Sequence, residues 1–256
     1  MSLLREELKN IVERLKPLGL SAFKASFEDE GISDSDLIKL LLVSAKANIP
    51  TFVKVGGCEA KRDIDFCLIH GVEGIVAPMV ESSFAVSKFV NSVAEKCVNH
   101  AIIKPKIYVN IETVDACKNI KEILQVHHEN LTGVVVGRSD LSMSLGLSKS
   151  NVEDFQVMNY VREVFETAKT YGLETSMGGR ISRNSITNIE NLYSRSLLDK
   201  FQTRTLVFSL NPNSDISFVI SDALKYEQAL LNYRMFDPGR VSRGFQARIE
   251  SIEKRK

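Results

Sequence analysis

Asp140 stands in Gly137-Arg138-Ser139-Asp140-Leu141-Ser142, immediately after the apolar run 131–136. An unbroken apolar run that turns abruptly polar reads as a buried parallel strand ending in a loop. A carboxylate just past such a strand sits on a rigid lip, where barrels and open α/β sheets keep their chemistry. Alone, Asp140 reads equally well as a cap of the following helix or turn. A second carboxylate has the same setting: Glu112 follows the strand-like Lys106-Ile107-Tyr108-Val109-Asn110-Ile111. Two carboxylates on adjacent strand ends suit a hard divalent cation, with substrate oxygens and water completing its shell. Such a cation polarises a carbonyl and stabilises an enolate. Glu112 can instead pair with Lys54, since buried charges are normally paired.

If the strands share one rim, the residues at their ends form one site. In chain order these are Glu28, Asp29 and Glu30; Lys54; Pro78 and Met79; Glu112; Arg138, Ser139 and Asp140; Met177, Gly178 and Gly179; and Ser209 and Asn211. Lys54 and Arg138 offer positive charge to a carboxylate or phosphate. Gly178 and Gly179 let a ligand approach the backbone, and Ser182 to Ser185 start a helix whose N-terminus favours anions. A tight turn with no ligand is the alternative for that stretch.

The elements that position these residues alternate regularly. Strands are expected at 22–27, 51–55, 74–80, 107–111, 131–136, 174–177 and 205–210. Helices are expected at 2–16, 35–47, 59–70, 83–98, 114–126, 152–171, 185–194 and 214–233. Strands joined through helices form a parallel sheet with right-handed crossovers. Glu28-Asp29-Glu30-Gly31 after the first strand cannot welcome a pyrophosphate, so a dinucleotide-type open sheet is disfavoured. The expectation is an α/β fold: a single (β/α)8 TIM barrel over 22–233, with its eighth strand not legible. An additional N-terminal helix occupies 1–20, and a C-terminal helical arm after Pro238 and Gly239 spans 234–256, covering the barrel or reaching a neighbouring subunit.

Composition narrows the classes. The 256 residues are 44% hydrophobic and 25% charged, with a net charge of +1. Those are soluble globular values, and the charge argues against a nucleic-acid binder. No run approaches the ~20 apolar residues that cross a bilayer, and the N-terminus lacks a signal-peptide core, so a cytoplasmic location is expected. Cys58, Cys67, Cys97 and Cys117 match no zinc spacing and read as reduced thiols. His70, His100, His127 and His128 lie away from strand ends and receive no chemical role.

The segments Ile75-Val76-Ala77-Pro78-Met79-Val80-Glu81, Asn110-Ile111-Glu112-Thr113 and Gly137-Arg138-Ser139-Asp140-Leu141-Ser142 resemble the HpcH/HpaI aldolase and citrate lyase family of barrel enzymes. The resemblance runs over roughly 23–210, and Thr175-Ser176-Met177-Gly178-Gly179 looks like the sixth-strand loop of the wider phosphoenolpyruvate/pyruvate superfamily. It implies a metal-dependent carbon–carbon lyase or aldolase acting on a 2-oxo acid through a pyruvate or oxaloacetate enolate. By this resemblance Glu112 and Asp140 hold Mg²⁺ or Mn²⁺; Lys54, Pro78, Met79, Ser139, Gly178 and Gly179 bind substrate; and Lys54, Glu28, Glu30 and Arg138 serve catalysis. A homo-oligomer, trimeric or hexameric, is implied as well. A phosphoenolpyruvate- or acyl-CoA-dependent lyase, or a binding or regulatory barrel without turnover, stays open. Three departures bear on mechanism. The aldolase histidine after the first strand is absent from Glu28-Asp29-Glu30-Gly31, which is closer to the acidic loop of the citrate lyase branch. Lys54 stands where family members carry arginine, keeping the charge without the bidentate fork. Arg138 stands where aldolases carry a small residue or proline. The base is then Glu28, Glu30 or a water on the metal.

Overall fold

In a computed structural model, which describes residues 2–212, 214–235 and 243–255, the apolar runs become the staves of a closed barrel. The strands are β1 (Leu20–Ser26), β2 (Thr51–Lys54), β3 (Gly74–Ala77), β4 (Lys106–Ile111), β5 (Gly133–Gly137), β6 (Glu174–Gly178), β7 (Lys200–Gln202) and β8 (Leu206–Ser209). The helices are α1 (Ser2–Leu15), α2 (Asp34–Ala47), α3 (Lys61–Ile69), α4 (Ser83–His100), α5 (Val114–Lys118), α6 (Ile120–Gln125), α7 (Arg138–Ser144), α8 (Phe155–Thr170), α9 (Ile186–Ser194), α10 (Ile216–Met235) and α11 (Arg243–Glu253). The α/β barrel, the N-terminal helix and the C-terminal helix all stand as expected. Pro238 and Gly239 lie outside the described residues. The helix expected over 114–126 is split at Asn119 into α5 and α6, and the residues expected as a loop after β5 wind into α7.

Period-two alternation divides each strand between two environments. Phe23, Val53, Ile75, Val109, Val134 and Phe208 face outward and pack under the helices, fully buried. Each such side chain contributes about 1.5–3 kcal/mol by leaving water. A smaller cluster (Ala22, Phe52, Val76, Tyr108, Val135 and Val207) fills the barrel's interior. Near the strand starts the interior is polar but satisfied: Tyr108 Oη donates to Glu174 at 2.5 Å, and Lys200 Nζ bonds both Glu174 and Tyr108 Oη. This plug closes one end of the barrel.

The closure departs from seven alternating units plus one. From β1 through β7 every neighbouring pair is parallel, with registers such as Ser26 beside Lys54 and Ile111 beside Val136. β8 is antiparallel to both β7 and β1. No crossover helix separates β7 from β8; residues 203–205 turn the chain, with Thr203 N donating to Leu206 O. The strand expected at 205–210 is thus the eighth, and the illegible one is Lys200–Gln202. Because β8 runs backwards, Ser209 and Asn211 lie at the closed end, beside Gly19, rather than on the rim with the other strand ends. In their place the hairpin brings Thr203, Arg204 and Thr205 to the rim.

Among the described residues, no helix is long and apolar enough to cross a membrane. All four cysteines are free, and burial pushes the Cys67 and Cys117 thiols well above the ordinary range, the latter to about 12.

Candidate active site

At the open end lies a cavity of about 150 Å³, whose walls come from strand ends, from the 203–205 hairpin and from the last two helices. Its inner wall carries both carboxylates singled out by position. Glu112, 2% exposed, follows β4; Asp140, half-buried, lies in the first turn of α7. Asp140 is not a helix cap: Gly137 occupies that position, and no side chain caps the helix. Glu112 Oε1 accepts the Met79 backbone N–H at 3.0 Å, and Oε2 accepts from Asn110 Nδ2 at 3.0 Å. Those two bonds aim the carboxylate. Gly137 makes room for it, since a β-carbon there would collide with Glu112 Oε2.

The electrostatics of this wall are strained in one direction. Burial pushes the Glu112 carboxyl up; Lys54 and the Met79 and Asn110 bonds oppose this, Asp140 adds to it, and the net result stays above the ordinary range. Burial pulls Lys54 down, but Glu112 and the bond from Glu28 outweigh it and hold the ammonium charged. Lys54 Nζ lies 2.7 Å from Glu28 Oε2. The pairing of Lys54 is therefore a direct bridge to Glu28, with Glu112 acting on it through space. Asn110 Oδ1, buried beside Glu112, has no hydrogen-bond partner. Two carboxylates and an unsatisfied amide oxygen form an all-oxygen donor set of the kind Mg²⁺ or Mn²⁺ takes. Among the described residues no three His, Cys, Asp or Glu side chains converge on one point.

Several other expected residues fall into place, and several do not. Ser139, Gly178 and Gly179 line the cavity. Gly179 adopts φ 86°, and a β-carbon on it would come within 2.6 Å of Ser139 N, so the α7 and β6 loops meet backbone to backbone. Glu30 and Asp29 reach the cavity, each tied at 3.3 Å to Arg204. Met79 contributes its backbone N–H to Glu112, while its side chain is 46% exposed and Pro78 is buried beside it; neither side chain forms the cavity wall.

Arg138 requires a correction. It is fully buried and turned away from the cavity: Nε donates to Gly178 O, one terminal nitrogen to Glu153, and the other to Gly179 O and Ser185 Oγ. As the first residue of α7 it points back under the β6 loop rather than over the rim. It fixes Gly178 and Gly179, and it does not line the cavity.

Two cavity residues escaped the sequence reading. Lys24, on β1, projects into the cavity; burial, then the nearby Lys54 and Arg204, bring its ammonium down to about 8. Its signal was present, since Ala22, Lys24 and Ser26 share the interior phase of a strand whose other phase is Phe23 and Ala25. Arg204 had no signal, because the hairpin that carries it was itself illegible.

A closed α/β barrel with a carboxylate pair in a cation-rimmed mouth is the class that fold and site define. Residues 35–177, more than half of the chain, match the family profile described as HpcH/HpaI aldolase/citrate lyase, and the chain belongs to that family. No curated protein sequence matches it. Among solved structures it is similar to the HpcH/HpaI aldolase from Desulfitobacterium hafniense DCB-2, at 18% identity and TM-score 0.63, covering 91% of this chain and 90% of that one. It is also similar to the citrate synthase SbnG, at 20% identity and TM-score 0.58, covering 86% and 98%. A third is an HpcH/HpaI aldolase/citrate lyase family protein from Burkholderia cenocepacia J2315, at 16% identity and TM-score 0.61, covering 88% and 90%. Identities this low speak to the fold.

Proposed function

We propose that this barrel is a divalent-metal-dependent carbon–carbon lyase or aldolase acting on a 2-oxo acid. The observation that carries the reading is Glu112 and Asp140 facing one cavity, with burial and their mutual repulsion leaving Glu112 short of compensating positive charge. Glu112, Asp140 and the unpaired Asn110 Oδ1 would hold Mg²⁺ or Mn²⁺. Bound there, the cation supplies Lewis-acid polarisation of the substrate carbonyl and carboxylate. The chain's own groups do the rest. Lys54, kept charged by Glu28 and Glu112, binds the substrate carboxylate as a point charge. The backbone of Gly178 and Gly179, anchored by Arg138, forms a wall close enough for a small substrate to lie against. Glu28 and Glu30 are both occupied in ion pairs, with Lys54 and Arg204. Lys24 faces the same cavity, and burial beside Lys54 and Arg204 brings its ammonium down to about 8, so proton transfer is assigned to Lys24.

The test is exchange of the pyruvate methyl protons in D₂O with Mg²⁺, followed by proton NMR. Exchange that EDTA stops, and that Glu112→Gln or Asp140→Asn reduces by about 100-fold or more, supports the reading. Full exchange in both variants refutes it. One observation favours a second reading, a binding or regulatory barrel: all three acidic residues of the β1 loop are tied up, Glu28 by Lys54 and Asp29 and Glu30 by Arg204. Pyruvate binding with no exchange would establish it.

A further inference from the structure

The outer half of the same cavity holds more cations than its carboxylates neutralise. On α11, Arg248, Ser251 and Ile252 are three and four residues apart, hence on one helix face, and that face lines the cavity together with Arg255 in the turn just after the helix. Facing it is Arg180, in the loop after β6, a non-glycine residue held at φ 48°. Such backbone persists where the surroundings enforce it, and such positions cluster at ligand sites. Arg255 is bound at 2.5 Å to the buried Glu227, yet its buried Nε has no hydrogen-bond partner. Arg204 is spoken for by Asp29 and Glu30. Among the described residues Arg180 makes only a long 3.5 Å contact to Ser251 Oγ, and no carboxylate lies within ion-pair reach of Arg180, Arg248 or the cavity-lining Lys149. Burial, then Arg255 and Arg204, pull the Arg180 guanidinium below its ordinary range, as expected of cations gathered without a counter-ion.

We propose that Arg180, Arg248 and the unpartnered Nε of Arg255 form an anion subsite at the cavity mouth that binds a phosphate monoester at the far end of the substrate. The idea rests on the 2-oxo acid reading, which places the substrate's other end at Glu112, Asp140 and Lys54. Phosphate fits better than carboxylate on charge. Arg180 and Arg248 leave two positive charges unmatched, which a dianion satisfies and a monoanion does not. Guanidinium forks also match the several oxygens of a phosphate. Ile252, Leu230 and Leu231 supply apolar surface beside the cluster, lowering the local dielectric and strengthening the pairing. The substrate class is therefore a phosphorylated 2-oxo acid, or an aldehyde phosphate joined to one.

The test uses the full-length protein with inorganic phosphate as the probe, titrated by calorimetry in low salt. Mn²⁺ affinity, read by electron paramagnetic resonance, and pyruvate affinity are measured alongside. Saturable phosphate binding that weakens about tenfold or more in the double variant Arg180→Gln/Arg248→Gln, with Mn²⁺ and pyruvate affinity unchanged, supports the subsite. The single variant Arg248→Gln, on the partly exposed face of α11, should give a smaller loss and guards against misfolding of the double variant. Phosphate that does not bind, or binds the double variant equally well, overturns the proposal; so does malonate binding more tightly than phosphate. The two readings fail separately. Phosphate binding without Mg²⁺-dependent pyruvate exchange sinks the lyase reading alone, and exchange without phosphate binding sinks the subsite alone.

Discussion

Replacing Lys24 with methionine should make the protein more stable while removing its proton-transfer group. The side chains are similar in length, so the change chiefly deletes a charge. In the folded chain Lys24 is half-buried beside Lys54 and Arg204, and Glu112 and Asp29 do not offset the loss of water and the like charges; its ammonium drops from 10.5 to about 8. At about 1.4 kcal/mol per unit, holding that charge costs the fold about 3 kcal/mol. Contact with cavity water trims this to about 1–3 kcal/mol. The sign follows from linkage. Between about pH 8 and pH 10.5 the unfolded chain binds the proton that the folded chain has shed, so wild-type stability rises across that window. Below it the full penalty stands. Urea denaturation in EDTA, followed by circular dichroism, should therefore show Lys24→Met ahead by about 1–3 kcal/mol near pH 7, with the gap closing towards pH 10. A variant no more stable than wild type near pH 7, or a gap that does not narrow, refutes the placement of a charged Lys24 in this cavity. Gained stability together with lost pyruvate exchange is the signature of a functional group that the fold carries at a cost.

Two further outcomes follow from the same geometry. Arg138→Lys should destabilise by about 2–4 kcal/mol in chemical denaturation, because an ammonium cannot serve Glu153, Gly178 O, Gly179 O and Ser185 together and leaves buried acceptors unpaired. Glu112 has a carboxyl raised by burial, so the folded state keeps its proton to a higher pH than the unfolded state. Wild-type stability in EDTA should then fall as pH rises above the ordinary 4.5, a fall that Glu112→Gln lacks and that paired denaturation curves would show.

Much of this architecture was legible because it depends on pattern. Strands covered on both faces announce themselves as continuous apolar runs, and a barrel gathers their ends on one rim, so Glu112 and Asp140 could be paired before any coordinates. What failed did so for physical reasons. β7 is Lys200-Phe201-Gln202, too short and too polar for a periodicity argument. Its polar residues face the interior, where Lys200 meets Tyr108 and Glu174, and Gln202 meets Ser176. Losing β7 hid the antiparallel closure, and with it the fact that Ser209 and Asn211 belong to the opposite end of the barrel. Arg138 misled because position along the chain fixes a residue's height on the barrel but not the direction of a helix's first side chain.

The reversed last strand also accounts for the character of the mouth. A crossover helix between β7 and β8 would have bridged the two strands on the outer face. The hairpin that replaces it stands at the rim and delivers Arg204 to Asp29 and Glu30, pinning the acidic loop after β1. α10 and α11 then complete the wall, with Glu227 bound to Arg255. The cations of this region sort by partner. Arg138 and Arg204 are each matched by a carboxylate and serve as fixed architecture, while Lys54 is held in place by Glu28. Lys24, Arg180 and Arg248 line the cavity without such a match among the described residues. Unmatched charge held partly out of water costs stability unless something compensates it. Here the uncompensated charges point into one cavity, at its floor and at its mouth, and an anionic substrate spanning the two would compensate both.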